Sequence, residues 1–414
     1  MFSILMIREF LEDIRQQKTR AVLTTVAIAW GCLTMILLMA FGRGLAFRMR
    51  EGLLNAGNMS IMMGGGQTGM KFEGLPLGRR IALVEDDARV LEQSIPMIAE
   101  ISPQQGKWVR LRIGDKSAST FMEGVYPSFE ILRRMYPAAG GRFLNEKDQQ
   151  EKRRVVFLGS EVSKELYGAD SPIGKGLQID GVPFTVVGTL PKKLQTAMNN
   201  GPDDRRAIIP FSTFQSIYGT RTINSMLVQP ARPGESKQVL QEIRRVLGRK
   251  YRFDPADENA IWAWDMAEAI SVQDKVFKGL NIFMAVIGAM TLIIAGVGVA
   301  NIMYVVVKER TREIGIKRAC GAKRRHILFQ FTFEAVGMAI VGGLAGFLAA
   351  AGIVRAVWMV PAQEGAMEFL GRPLLSPAVI WTAVTVLGVT GVVAGLFPAR
   401  KAANLDPIES LRYE

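Results

Sequence analysis

The chain has 414 residues, is 49% apolar and carries a formal net charge of +13. Its apolar residues fall in long uncharged blocks, which points to a membrane protein with one soluble part rather than two or three soluble domains. One histidine (His326) and two cysteines (Cys32, Cys320) argue against a His-rich metal site, a disulfide framework and a Ser-His-Asp triad.

Residues 1–20 place Phe2, Met6, Phe10, Leu11 and Ile14 at helical spacing, with Arg8, Glu9, Glu12, Asp13 and Arg15 largely on the other side. That predicts an amphipathic helix on the cytoplasmic membrane surface. Residues 21–42 are a first transmembrane span, about 33 Å long as a helix. Arg8, Arg15, Lys18 and Arg20 precede it and hold its start in the cytoplasm.

Residues 43–278 form one large soluble excursion. Helical stretches flank it, GLAFRMREGLLNA after the first span and MAEAISVQDKVFK before the second. Between them lie a strand (NMSIMM), a helix with an acidic first turn (VEDDARVLEQSI) and two alternating strands (WVRLRIGD, SASTFMEGV). RRVVFLGSEV, SKELYG and GLQIDGVPFTVVGTL follow, with IDG as a hairpin turn, then RRAIIPFSTFQSIYG. From about 224 come a strand (SMLVQP), a helix (ESKQVLQEIRRVLGRKY) and a strand (AIWAWDM). Two arrangements fit: an outer α/β unit in two pieces with a β-rich unit inserted at about 120–225, or a single mixed domain. The basic excess of this segment is diffuse and lacks the aromatic interleaving that single strands of nucleic acid need, so no nucleic-acid partner is expected.

Residues 279–307 are a second, charge-free span. It turns at once into residues 308–326, where Lys308, Arg310, Arg312, Lys317, Arg318, Lys323, Arg324 and Arg325 face only Glu309 and Glu313. So basic a loop beside a span stays in the cytoplasm. Glu313 and Lys317 are a favourable i,i+4 pair, and Gly321 can end the helix in a left-handed cap. Ile314 and Ile316 among the charges suit docking into a groove of a partner protein. Residues 327–354 and 373–399 are the third and fourth spans. Between them, loop 355–372 balances Arg355 and Arg372 with Glu364 and Glu368. The tail 400–414 begins with Arg400 and Lys401. Both termini are then cytoplasmic and 43–278 is outside.

No nucleotide-hydrolysing motif is present. GADSPIGKG (168–176) has the wrong spacing, and Gly176 stands where a phosphate loop needs Ser or Thr. Glu334, the one acid inside a span, fits a proton relay or a structural partner for the basic residues at 323–325. Gly342 and Gly346 form one GxxxG pair and Gly391 and Gly395 another, for packing within the bundle or against a second copy.

KERTREIGIKRACGAKRRHI (308–327) and FPARKAANLDPIESLRYE (397–414) resemble the cytoplasmic signatures of FtsX-like, MacB-class (type VII) ABC transporter permeases. VVFLGSEVSKELYGADSPIGKGLQIDGVPFTVVGTL resembles their external core domain. The resemblance covers essentially the whole chain. It implies an α-helical membrane protein of the cell inner membrane, with four transmembrane helices plus a large α/β extracytoplasmic (periplasmic) domain. That domain would be Porter-like α/β with an inserted Sabre-like β-rich subdomain. Residues 308–321 would be a coupling helix that contacts a cytoplasmic ATPase, with Glu309, Glu313, Gly315, Lys317, Arg318, Gly321 and Ala322 at matching positions. ATP and Mg would sit on a dimeric partner ATPase, with no cofactor or metal in this chain. Because the chain starts at the surface helix, the ATPase is expected to be a separate protein. The permease would pair with a second copy or a related permease in membrane lipid, with a periplasmic adaptor and an outer-membrane channel as further partners.

The expected function is an exporter permease that moves its periplasmic domain by mechanotransmission. The alternatives are a lipoprotein-extracting Lol-like permease and an FtsX-like activator of a cell-wall hydrolase. A membrane-anchored enzyme or sensor is disfavoured, because no catalytic constellation is assembled.

Overall fold

The computed structural model describes residues 18–57, 59–195, 201–360 and 370–405. The chain divides into a membrane unit (residues up to Arg48 and from Lys275) and a soluble unit (Met49–Asp274). Most of the expected surface helix, the middle of loop 355–372 and the end of the tail lie outside the described residues.

Four helices among the described residues are long and apolar enough to cross a bilayer: α1 (Lys18–Ala56), α8 (Met266–Glu309), α10 (Arg324–Met359) and α11 (Pro377–Ala403). Their charge-free runs satisfy every backbone group internally, the condition that lipid imposes. Trp30, Ile294 and Trp381 are 63–73% exposed, as residues facing acyl chains are. The flanking helices expected beside the first two spans are continuous with them, so α1 and α8 each cross the boundary between the units. The fourth helix starts at Pro377, later than the expected 373. Ser376 caps it by accepting from the Val379 amide, with Pro377 in the first turn.

Within the soluble unit, chain order gives β1 (Ile61–Gly65), α2 (Glu85–Ser94), β2 (Ile98–Ile113), β3 (Lys116–Val125), α3 (Phe129–Leu132) and α4 (Glu146–Gln150). Then come β4 (Val155–Leu158), α5 (Ser160–Tyr167), β5 (Gly176–Ile179), β6 (Val182–Thr189), β7 (Arg206–Pro210) and α6 (Phe211–Tyr218). β8 (Ser225–Pro230), α7 (Ser236–Tyr251) and β9 (Ile261–Asp265) complete it. The nine strands form one sheet, and β2 is the strand that organises it. Its first half pairs with β8 (Ile101↔Val228), which continues through β1 to β9. Its second half pairs with both β3 (Trp108↔Phe121) and β5 (Leu111↔Ile179). The pairings β3–β7, β7–β4, β4–β6 and β6–β5 then close a six-stranded barrel.

Each part has its own core. Helices α2 and α7 lay Leu91, Val239, Ile243 and Leu247 on Ile61, Met63, Met226 and Ile261. The four-residue spacing in α7 makes that stripe. The barrel interior takes residues from all six strands, including Leu111, Met122, Leu158, Ile179, Val186 and Ile209. Each such side chain contributes about 1.5–3 kcal/mol on burial. The expected boundary at about 120 falls inside β3, whereas the barrel already includes β2 from about Gln104, where the β2–β3 ladder begins. The IDG hairpin forms as expected, with Asp180 (φ 47°) and Gly181 (φ 85°) both left-handed, as a two-residue type I′ turn requires.

Candidate functional site

The basic turn between the second and third membrane helices forms a short helix, α9 (Thr311–Ala319). Arg310 interrupts the helical run after α8, and the Thr311 hydroxyl donates back to the Val307 and Lys308 carbonyls. Ile314 and Gly315 are buried. Ile314 joins a cluster with Met303, Val307, Ile327 and Phe331, which fastens one face of α9 to the bundle. The opposite face carries Glu313, Ile316, Lys317 and Cys320, all exposed and spaced i, i+3, i+4, i+7, with Ile316 47% accessible. The expectation that Ile314 and Ile316 dock together is therefore corrected. Residues two apart point to opposite sides of a helix, so one anchors and the other is presented.

The end of α9 is fixed as tightly as its buried face. Gly321 has φ 97°, its amide donates to the Arg318 carbonyl at 3.1 Å, and the Ala322 amide donates to the Lys317 carbonyl at 3.0 Å. This is a Schellman cap, with Ala322 packed on the same cluster as Ile314. The Arg318 guanidinium donates to the Leu405 carbonyl, tying α9 to the exit of α11. Of the seven residues expected to couple, Glu313 and Lys317 share the exposed face and Gly315 lies in the anchored one. Arg318, Gly321 and Ala322 fix the end, while Glu309 is exposed on the last turn of α8.

Both GxxxG pairs pack inside the bundle. A Cβ on Gly342 would lie 2.8 Å from Ile28 Cβ, and one on Gly346 2.4 Å from the Ala29 carbonyl oxygen, so this pair seats α10 against α1. Cβ atoms on Gly391 and Gly395 would meet Ala339 and Ala335 at 2.9 and 2.5 Å, seating α11 against α10. Glu334 is nearly buried, and Arg310 stands 3.6 Å away. The expected pairing with residues 323–325 gives way to the cation at the break between α8 and α9.

Sequence reasoning missed a buried ionic knot in the soluble unit. Asp203 lies 3.0 Å from Arg133, 2.9 Å from Lys193 and 3.3 Å from Arg206, and Arg206 also pairs with Glu123. Lys193 Nζ donates to the carbonyls of Asn55, near the end of α1, and of Arg133 at 3.0 and 2.9 Å. The Asn55 amide donates to the Leu194 carbonyl at 2.8 Å. Burial opposes the charge of Asp203, yet Arg133, Lys193 and Arg206 hold its carboxyl below the usual carboxylate range. Burial lowers the Lys193 ammonium, against the pull of Asp203. The five residues are spread over 84 positions and no local spacing announces them.

Residues 21–246 match the MacB-like periplasmic core domain family, and residues 285–407 match the FtsX-like permease C-terminal family. The chain belongs to the MacB- and FtsX-like ABC permeases. Among relatives in this family, the macrolide export ATP-binding/permease protein MacB of Bdellovibrio bacteriovorus is 28% identical over 99% of this chain and 62% of its own length. The pyoverdine export ATP-binding/permease protein PvdT of Pseudomonas syringae pv. syringae is 31% identical over 95% of this chain and 57% of its own. The chain thus spans about three fifths of these relatives. The solved periplasmic region of MacB from Actinobacillus actinomycetemcomitans aligns with 54% of this chain and 96% of its own length, at 19% identity and TM-score 0.43. For a MacB-like permease, the soluble unit is the extracytoplasmic domain, and α9, Glu334 and both glycine pairs fall within the FtsX-like part.

Proposed function

We infer that this chain is the permease of an ABC exporter in the inner membrane, with both termini cytoplasmic and the soluble unit periplasmic. An ATPase module seats on the exposed face of α9. ATP and Mg belong to that module, and its closure moves α9, then α8 and α1, and so the periplasmic domain. The observation that carries this reading is the two-sided character of α9. Ile314 and Gly315 lock it to the bundle, while Glu313, Ile316 and Lys317 stand outward at groove-docking spacing. A helix clamped on one face and at its cap passes on a push instead of absorbing it.

The names of the relatives, macrolide export and pyoverdine export, support export as the role; the cargo is not carried over. A second permease copy, an adaptor and an outer-membrane channel complete the proposed complex.

The test uses the reconstituted complex with its ATPase. Glu313→Lys reverses a charge on the docking face. Gly321→Pro puts a residue fixed near φ −65° where the backbone needs 97°. Both are expected to abolish ATP-dependent transport while hydrogen exchange in the soluble unit stays unchanged. Full transport in both variants would overturn the assignment.

A further inference from the structure

Between α8 and α11 the membrane unit carries an open apolar groove of about 560 Å³. The helices touch at its floor, where a Cβ on Gly296 would lie 2.6 Å from Thr390 Cγ2. Its walls are open, with Val389 60% and Phe397 57% exposed. Val389, Val393 and Phe397 follow one another four apart along α11, as Gly296 and Ala300 do along α8, so each forms one ridge slightly inclined to its helix axis. The next residues on those rows are Lys401 and Tyr304. Lys401 Nζ sits 5.5 Å from the Tyr304 ring centroid, so a cation stands one turn beyond the lining residues Phe397 and Ala300. Arg400 is exposed beside it. The groove therefore has an apolar length and a cationic end.

We propose that this groove holds one acyl chain of an anionic phospholipid, with the lipid phosphate at Arg400 and Lys401. From Thr385 to Phe397 the wall covers roughly 18 Å at the helical rise, close to the depth of about 15 Å that one leaflet offers. The acyl chain stays in one leaflet, and the headgroup reaches the level where long basic side chains extend to the interface. Charge argues against a second copy of the chain in the same place. Two copies in one membrane point the same way, so a two-fold contact through this groove would set Arg400 and Lys401 at the same depth as their own counterparts. An anionic headgroup neutralises them instead. On the orientation proposed above, that leaflet is the cytoplasmic one.

The test is native mass spectrometry of the full chain, released from nanodiscs of phosphatidylglycerol and phosphatidylethanolamine in equal amounts. The wild type is expected to retain one phosphatidylglycerol per chain in preference to phosphatidylethanolamine. Arg400→Gln with Lys401→Gln lowers that preference by roughly fivefold per cation removed. Ala300→Phe keeps the cations but fills the groove, and it loses retained lipid of either kind. Equal retention of both lipids by the wild type, or an unchanged preference in the glutamine variant, would overturn the proposal. So would spontaneous disulfide crosslinking of Val389→Cys to a second chain, which would put a protein in the groove. The two glutamines sit on the surface, so they decide the matter even if Ala300→Phe fails to fold. No outcome depends on ATPase docking, so failure here leaves the coupling assignment untouched.

Discussion

The membrane unit and the soluble unit hold themselves together by opposite means. In the membrane unit, contact is made by glycines: Gly342, Gly346, Gly391 and Gly395 let backbones meet, and the one intramembrane acid, Glu334, sits near an end beside Arg310. In the soluble unit, the barrel core is apolar, but Asp203 is buried with Glu123, Arg133 and Arg206, and the half-buried Lys193 links this knot to the end of α1. The difference follows from the solvent. Lipid gives apolar packing no hydrophobic reward, so close approach must supply the attraction. Water gives burial its reward and lets charges be buried where they satisfy one another.

The largest expected effect tests the second half of that contrast. Asp203→Ala leaves three cations facing an empty site, and it should cost about 3–5 kcal/mol, read as lost hydrogen-exchange protection across β3 and β7 of the full chain. Its pH dependence has a definite sign. Because the folded carboxyl is held below its ordinary 3.8, its contribution is present above that value and disappears as pH falls through the folded one. The gap between wild type and Asp203→Ala should therefore be constant from pH 5 to 7 and close on acidification; a gap that widens would show that Asp203 is not charged in the knot. Next comes Gly346→Leu, which drives a side chain into the Ala29 carbonyl and Cys32 and should cost about 1–3 kcal/mol. Melting of the purified chain checks this, and an unchanged midpoint would mean that α10 and α1 do not meet there. Glu334→Gln should lower stability by about 1 kcal/mol and leave transport intact, whereas abolished transport would revive the proton-relay reading. The smallest effect is Lys175→Ala. It breaks the exposed pair with Asp170 at 3.1 Å and should stay within about 0.5 kcal/mol, so the same charge chemistry fades once water reaches it.

What could be read in the sequence divides along the same line. The four membrane helices were legible because a charge-free run of some twenty residues has one structural solution. The Gly321 cap and the IDG turn were legible because each needs a left-handed backbone that few residues adopt. The barrel was not. Its closure depends on β2 pairing with both β3 and β5, with Leu111 opposite Ile179 from 68 positions further on, and alternation alone carries no partner information. The ionic knot was hidden for the same reason: Glu123, Arg133, Lys193, Asp203 and Arg206 look like ordinary surface charges until the fold brings them together. In α9 the residues were found, but Ile314 and Ile316 were given one role where the helix gives them two.

The most direct test of the central claim contrasts those two residues. A photoreactive amino acid is placed at Ile316 in one variant and at Ile314 in another, in cells that also express the ATPase. ATPase crosslinks are expected from position 316, and only intramolecular crosslinks, or none, from position 314. Equal crosslinking from both positions, or none from 316, would contradict α9 as the surface on which the ATPase acts.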